Sequence, residues 1–376
     1  MKNGDFGKIP RRIYIAGCMI GCIFTLYTRT LMYSQVTFSY KNCPRKEFDK
    51  PWFVTLFMSL GMSFGSIVYK LMLKFSENPP QSFSKIYFSL YFQALLPALL
   101  DISESLLYNI SILLIGEAYA TLLRFFIIIF VTFLRRVWLK EEILPYSYIS
   151  LAIIIIGVIL SSISIVFDEL KSQKYDLSFF IALSFQIIAQ ALFCIKTIIE
   201  EKLLHSNDIH PVWLCGVEGF YETMIILFIA FPILNFMPKK FDTGLRENFC
   251  DAVLMVCHSK ILIIEILLYP FIALGYNICC IGVTYHASAV HFVVYDIFAS
   301  ALSWFSDLFI HYVMKGKIFG LSNKTIGSEW NSKSPMRLVG IILISIGCLF
   351  YNRIIQLKCF RYEKPNIVLV NLENIN

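Results

Sequence analysis

The sequence lacks the spacings that announce several common chemistries. No Cys-x-x-Cys pair suggests zinc, although the 376 residues include 11 cysteines. No glycine loop would cradle a phosphate, and no nucleophile elbow is present. No small-x-small cleavage site follows Arg11, Arg12 and the first apolar run, so that run reads as a retained helix rather than a removed signal. The tail beyond Lys358 has no lipidation box. The 33 Lys and Arg exceed the 26 Asp and Glu, giving a net charge of +7, but they are scattered among short loops and tails. With no basic face, a nucleic-acid partner is not expected.

What the chain has in excess is apolar surface. Its apolar share is 57% and its mean hydropathy +0.67, whereas a soluble domain is typically about 45–50% apolar. A helix rises 1.5 Å per residue, so about 20 apolar residues cross roughly 30 Å of hydrocarbon. Ten such runs are centred near residues 22, 62, 98, 127, 154, 188, 224, 272, 299 and 346. The expected fold is therefore all-α and polytopic, with ten transmembrane helices. Part of it is written twice: Tyr108-Asn109-Ile110 answers Tyr276-Asn277-Ile278, and Ala118-x-Ala120 answers Ala287-x-Ala289. A duplicated unit in so apolar a chain points to a transporter of two inverted five-helix repeats. They are expected at 1–165 and 177–358, joined by a loop at 166–176 and followed by a tail at 359–376.

Gly17-x3-Gly21 and Gly61-x3-Gly65 predict close approach of helix backbones. Very short connections are expected near Ile115-Gly116 and near Thr284. Between 237 and 260, Leu245, Phe249, Ala252, Val253 and Val256 recur at helical spacing and predict an amphipathic helix on the membrane surface. Asn323-Lys324-Thr325 is a glycosylation acceptor if its loop is luminal. Cys43, Cys250 and Cys257 lie in or beside loops of the same side, where one disulfide or free thiols both fit. Lys and Arg fall about equally on the two sides, so the positive-inside rule does not fix orientation.

Ionisable residues in hydrocarbon are costly unless they face protein or water, so their stripes mark an interior. Helix four carries Glu117, Thr121, Arg124 and Arg135 on one face, and helix nine Asp296, Ser300, Ser303 and Asp307. Helix three offers Asp101, Ser105 and Tyr108, helix eight Glu265, Tyr269 and Tyr276, and helix one Thr25 and Arg29. Helix six adds Gln186 and Gln190, and helix seven Glu218 and Glu222. Helices five and ten are apolar nearly all round and read as outer walls. The candidate substrate-binding or coupling residues are Arg29, Asp101, Arg124, Gln190, Glu218, Glu222, Asp296 and Asp307. Arg124 and Asp296 occupy corresponding places in the two repeats and are expected to pair near the midplane. His291 and Asp296 match an acyltransferase H-x4-D pattern, but five residues rotate a helix by about 140° and separate the two side chains. No enzyme activity, catalytic residue, metal or cofactor is expected; His205, Asp208 and His210 read as solvated loop residues.

These residues resemble the drug/metabolite transporter superfamily, with its EamA-type repeats, and within it solute-carrier family 35, subfamily F. Glu200-Glu201-Lys202, His210-Pro211 and Gly216-Val217-Glu218-Gly219 look like the family's EEK, HP and G-x-EG block. Pro97-Ala98 with Asp101 looks like its P-A-L-x-D, and Leu123-Arg124 like its L-R; Gly21, Thr25, Leu26, Ala189-Gln190, Asp296 and Tyr351-Asn352 also match. Phe24, Arg29 and Lys196 depart from the pattern. A more distant similarity is to the vacuolar chloroquine-resistance transporter. The resemblance implies cytosolic termini and residence in an endomembrane such as lysosome, vacuole or Golgi.

The expected function is secondary-active, proton-coupled movement of a small organic solute by alternating access. The alternatives are a nucleotide-sugar or phosphate-ester antiporter and, in another class, a non-transporting membrane scaffold or receptor. Expected partners are a small-molecule substrate, the lipid bilayer and, optionally, a second copy in a homodimer.

Overall fold

A computed structural model describes residues 11–38, 45–75, 88–138, 140, 144–169, 177–236, 247–316, 327–356 and 360. The side chains of 112–122, 125, 164–169, 177–178 and 235–236 are outside that description. Within these limits the chain is helical, apart from a small antiparallel hairpin of β1 (Val36–Thr37) and β2 (Lys46–Glu47). The first half contains α1 (Arg11–Tyr33), α2 (Pro51–Ser63), α3 (Gly65–Phe75), α4 (Phe88–Leu122), α5 (Phe125–Trp138) and α6 (Pro145–Glu169). The second contains α7 (Leu177–Asn207), α8 (Pro211–Ile225), a π-helical stretch (Ile226–Ala230), α9 (Phe231–Phe236), α10 (Phe249–Cys257), α11 (Lys260–His286), α12 (Ala289–Tyr312) and α13 (Ser334–Tyr351).

Among the described residues nine helical segments are long and apolar enough to cross a bilayer, with α2–α3 and α8–α9 each counting once. The tenth expected run, the fourth in order, is not among these nine, and the count of ten remains an expectation. It forms α5 of 14 residues, about 21 Å long and too short to cross alone. Helical backbone also runs through Ile115 and Gly116, where a connection was expected, and the turn residues are Leu123 and Arg124. The chain nevertheless doubles back. Ser111 donates to the Ala182 carbonyl of α7 (2.9 Å), Lys196 of α7 reaches Asp101 (2.6 Å), and Cys194 of α7 donates to the Ile127 carbonyl (3.3 Å). Asp101 and Ile127 thus share one level on α7, and the reversal falls between Ser111 and Ile127.

Glycines set the closest crossings. A Cβ on Gly21 of α1 would stand 3.0 Å from Tyr276 Cβ of α11, and one on Gly65 would stand 3.0 Å from the Gly216 nitrogen of α8. Both expected glycine pairs therefore sit at helix contacts. On the outside, α6 and α13 close on each other through Gly157 and Gly340, where an added Cβ would be 2.7 Å from the opposing carbonyl oxygen. Ile149, Ile156, Val339, Ile342 and Ile346 of this pair stay exposed, as lipid-facing walls should. The second crossing partner of α12 comes late: α11 ends at His286, two residues beyond the expected break, and Ser288 caps α12 through His291 N (3.3 Å).

The amphipathic segment forms α10, but it packs inward rather than lying free. Ala252 and Met255 are buried in a cluster with Phe48, Phe53, Phe231 and Tyr269, and Lys50 pairs with Asp251 at 2.7 Å. Cys250 and Cys257 are free thiols. Leu245, Cys43 and Asn323 lie outside the described residues.

Candidate functional site

The helices enclose a central cavity of about 570 Å³. Its walls come from α1, α4, α5, α7, α8, α11 and α12, the seven striped helices of the sequence. Three contributors were not foreseen: α2 supplies Val54, Thr55 and Met58, Ser328 comes from the segment before α13, and Arg337 reaches the cavity from α13. The weak polarity of the α2 positions leaves no stripe to read.

One wall carries a balanced charge pair. Arg124 donates through Nη2 to Asp296 Oδ2 at 2.7 Å and through Nη1 to Ser300 at 2.8 Å. Tyr276 donates to the other Asp296 oxygen at 3.2 Å, and Cys22 lies 3.7 Å from it. A carboxylate with three donors and an arginine with two acceptors are well satisfied, which is what makes a partly buried pair tolerable. The pair joins one half of the chain to the other.

A second group of charges is unbalanced. Lys196 binds Asp101 at 2.6 Å and Glu200 at 3.5 Å. Around this single ammonium stand Asp101, Glu104, Glu200, Glu218 and Glu222. Glu218 is fully buried and neither of its oxygens has a donor. Its carboxyl abuts that of Glu200, and the carboxyl of Glu222 abuts that of Asp101. Ionised carboxylates only accept hydrogen bonds, so each of these contacts calls for a proton or a cation between the two groups.

Arg29 is different again. It lies deep in the bundle among Tyr33, Tyr108, Tyr269 and Tyr276, yet keeps exposed surface because that surface faces the cavity. Gln190 is buried and lines the cavity, and Asp307 accepts from Tyr27 at 2.6 Å. Glu222 is buried behind the wall rather than on it, and Glu265 is buried, unpartnered and away from the cavity. Glu117 and Thr121 have side chains outside the described residues, while Arg135 pairs with Glu201 at 3.5 Å. Glu104 was not among the sequence candidates, and Lys196 was singled out there only as a departure from the family pattern. A signal existed for Glu104, which stands one turn before Tyr108 on the same face of α4.

The family-like block does structural work around this cavity. Glu201 accepts from the Ala289 backbone N–H at 3.1 Å and so caps α12. His210 accepts from Val212 N at 3.3 Å and caps α8, ahead of Pro211. Burial holds the His210 imidazole well below its usual range, at about 4, so it stays neutral and its Nδ1 remains an acceptor. Gly219 packs on Ser63, where a Cβ would be 2.5 Å from the backbone nitrogen. Glu247, between two membrane segments, accepts from Trp52 N (2.9 Å) and Phe53 N (2.8 Å) and caps α2. Burial pushes its carboxyl up to about 7, against the pull of those two N–H groups and of Lys50.

The H-x4-D spacing does not form a pair. His291 bonds Ser288 Oγ at 2.7 Å and stacks edge-on near Tyr351, whereas Asp296 turns to Arg124. His205 meets the Tyr285 carbonyl at 2.9 Å, and Asp208 accepts from Tyr285 at 2.8 Å.

No family model matches the sequence. A protein of Rattus norvegicus named Solute carrier family 35 member F6 is 24% identical over 281 residues, which is 74% of this chain and 69% of that protein. Its namesakes from Mus musculus and Homo sapiens are 23% and 22% identical over the same span. A solved crystal structure superposes over 92% of this chain and 96% of its own with a TM-score of 0.54 at 9% identity, a likeness of fold alone.

Proposed function

We propose that this chain, a homologue of the subfamily F members of solute carrier family 35 and a multi-pass membrane protein, is a secondary carrier of a small organic solute. It works by alternating access across an endomembrane, with its termini in the cytosol. The observation that carries this is the Arg124–Asp296 pair at the wall of a 570 Å³ cavity, tying the first half to the second. A substrate or proton that competes for either partner loosens the tie and biases the rocking of the halves. The helix pairings support two inverted repeats at 1–165 and 177–358: α1 packs on α11 as α7 packs on α4, its counterpart arrangement. Tyr108-Asn109 and Tyr276-Asn277, the repeated motifs, both line the cavity.

The carboxyl–carboxyl contacts Glu200–Glu218 and Asp101–Glu222 support proton coupling. On this reading the proton that each contact needs is the ion taken up on one side and released on the other. The phosphate-ester or nucleotide-sugar reading is favoured by one observation, the cation Arg29 facing the cavity. The scaffold reading predicts that cavity substitutions are tolerated.

Uptake by the purified chain in liposomes, with and without a pH gradient, tests the proposal. The screen covers nucleotide-sugars, amino acids and basic peptides. Accumulation driven by the gradient is expected. Exchange of a nucleotide-sugar without the gradient favours the second reading, and unchanged binding partners with no flux for any solute favours the scaffold.

A further inference from the structure

The cations facing the cavity are unequally occupied. Arg124 is spent on Asp296 and Ser300, Lys196 on Asp101 and Glu200, and the Arg337 guanidinium lies 5.3 Å over the Trp304 ring. Among the described residues Arg29 makes no hydrogen bond and no ion pair, although exposed hydrocarbon-depth arginines are costly when left so. Its neighbours Tyr33 and Tyr269 likewise have hydroxyls with no hydrogen bond among the described residues, and both line the cavity. A guanidinium and two phenolic O–H groups, all donors and all unspent, converge on one place. That is a receptor for an oxyanion.

The charge of the rest of the wall narrows the ligand. Asp101, Glu104, Glu200, Glu218, Asp296 and Asp307 also line the cavity, so a phosphate dianion at Arg29 meets six carboxyl groups. Among these, Glu104 makes no direct ion pair among the described residues, although Lys196 and Arg124 act on it from a distance; its one hydrogen bond there comes from the adjacent Ser105 at 3.4 Å. Tyr108, which stands against Arg29, is four residues along α4 from Glu104, a rise of about 6 Å. The wall also carries the apolar side chains of Ile127, Phe193, Ile281 and Phe292.

We propose that Arg29, with the hydroxyls of Tyr33 and Tyr269, holds the carboxylate of an apolar zwitterion of the amino-acid type, and that Glu104 takes its ammonium group. The inference rests on the reading of the central cavity as the substrate site. It assigns a substrate class to that site and divides recognition between two residues on opposite charges of one ligand. A ligand with both charges cancels Arg29 and Glu104 together, so the loaded cavity adds no net charge to the bilayer interior.

The test uses the full chain, purified in detergent, and equilibrium binding of radiolabelled leucine. The competitors are isoamylamine, which lacks the carboxylate, 4-methylvalerate, which lacks the ammonium, and glycerol 3-phosphate. Leucine is expected to bind more tightly than either half-molecule. Arg29→Gln should weaken leucine and 4-methylvalerate by about 10- to 100-fold while isoamylamine changes by about twofold or less, as expected for loss of a charged hydrogen bond. Glu104→Gln should do the reverse, and Arg29→Lys should recover part of the loss. If Arg29→Gln does not fold, Arg29→Lys and Tyr269→Phe carry the test, each weakening the carboxylate ligands alone. The proposal is overturned if leucine binds no better than its halves, if glycerol 3-phosphate binds tighter than leucine, if no probe binds, or if Arg29 variants weaken isoamylamine equally. Liposome uptake separates this from the carrier reading. Leucine that binds with this pattern but is never taken up leaves the subsite standing and removes the carrier. Uptake of another solute, indifferent to Arg29, does the opposite.

Discussion

The two charged groups of the cavity are built on opposite plans. Around Asp296, one carboxylate meets one guanidinium, and Tyr276 and Cys22 supply further donors. Around Lys196, one ammonium serves five carboxyl groups, and Glu218 has no donor at all. The first can stay ionised and dry; the second stays in the membrane only by holding protons or a cation. A closed pair suits a latch between halves, and an open cluster suits an exchangeable ion.

The largest expected effect strikes the open cluster at its centre. Lys196→Met leaves several buried carboxyl groups without their cation and should destabilise the chain by about 3–5 kcal/mol, read as a drop in melting temperature or loss of folded protein on purification. Next comes the latch. Arg124→Asp or Asp296→Arg should each reduce uptake by about 100-fold or more, as the loss of a hydrogen-bonded charge pair implies, and the double reversal should restore most of it. If the double variant stays inactive, the pair is not a latch. Glu218→Gln should sharpen the contrast: stability holds or rises, because an excess acid is gone, while the response of uptake to a pH gradient falls by about tenfold.

The dry outer wall gives a smaller, purely structural effect. Gly157→Ala, in α6 against α13, should cost about 1–3 kcal/mol through overpacking, since the opposing Gly340 oxygen stands 2.7 Å from the new Cβ. The smallest effect is at Glu247. Its carboxyl titrates near 7 in the folded chain and in the ordinary range near 4.5 when unfolded, so between those values the folded state holds the extra proton. Stability conferred by that proton is full below about pH 4.5 and is lost as pH rises through 7. A melting temperature that declines over this window, with the decline reduced in Glu247→Gln, is expected.

Much of this was legible in the sequence, for identifiable reasons. The Arg124–Asp296 pair could be read because both stand on apolar helices at corresponding places of the repeat, where only a mutual contact makes either tolerable. The block from Glu200 to Gly219 could be read as a motif, though its spacing did not reveal that Glu201 caps α12 and His210 caps α8. The pairing of Lys196 with Asp101 stayed hidden because the two are 95 positions apart on antiparallel helices, and nothing in either segment states their register. The break expected near Ile115-Gly116 differed for another reason: helical backbone continues through these residues, and the turn comes at Leu123 and Arg124. The inward packing of α10 depends on aromatic partners from α2 and α9 that no local pattern includes.

The most direct measurement of the central claim needs no substrate. Thr55 and Asn277 line the cavity from α2 and α11; each is replaced by cysteine in a background without the reactive native thiols, and sealed vesicles are treated with a membrane-impermeant thiol reagent from one face or the other. A carrier of alternating access predicts that both positions are labelled from either side, at rates that the pH gradient shifts in opposite directions. Labelling from one side only, unmoved by the gradient, would contradict it.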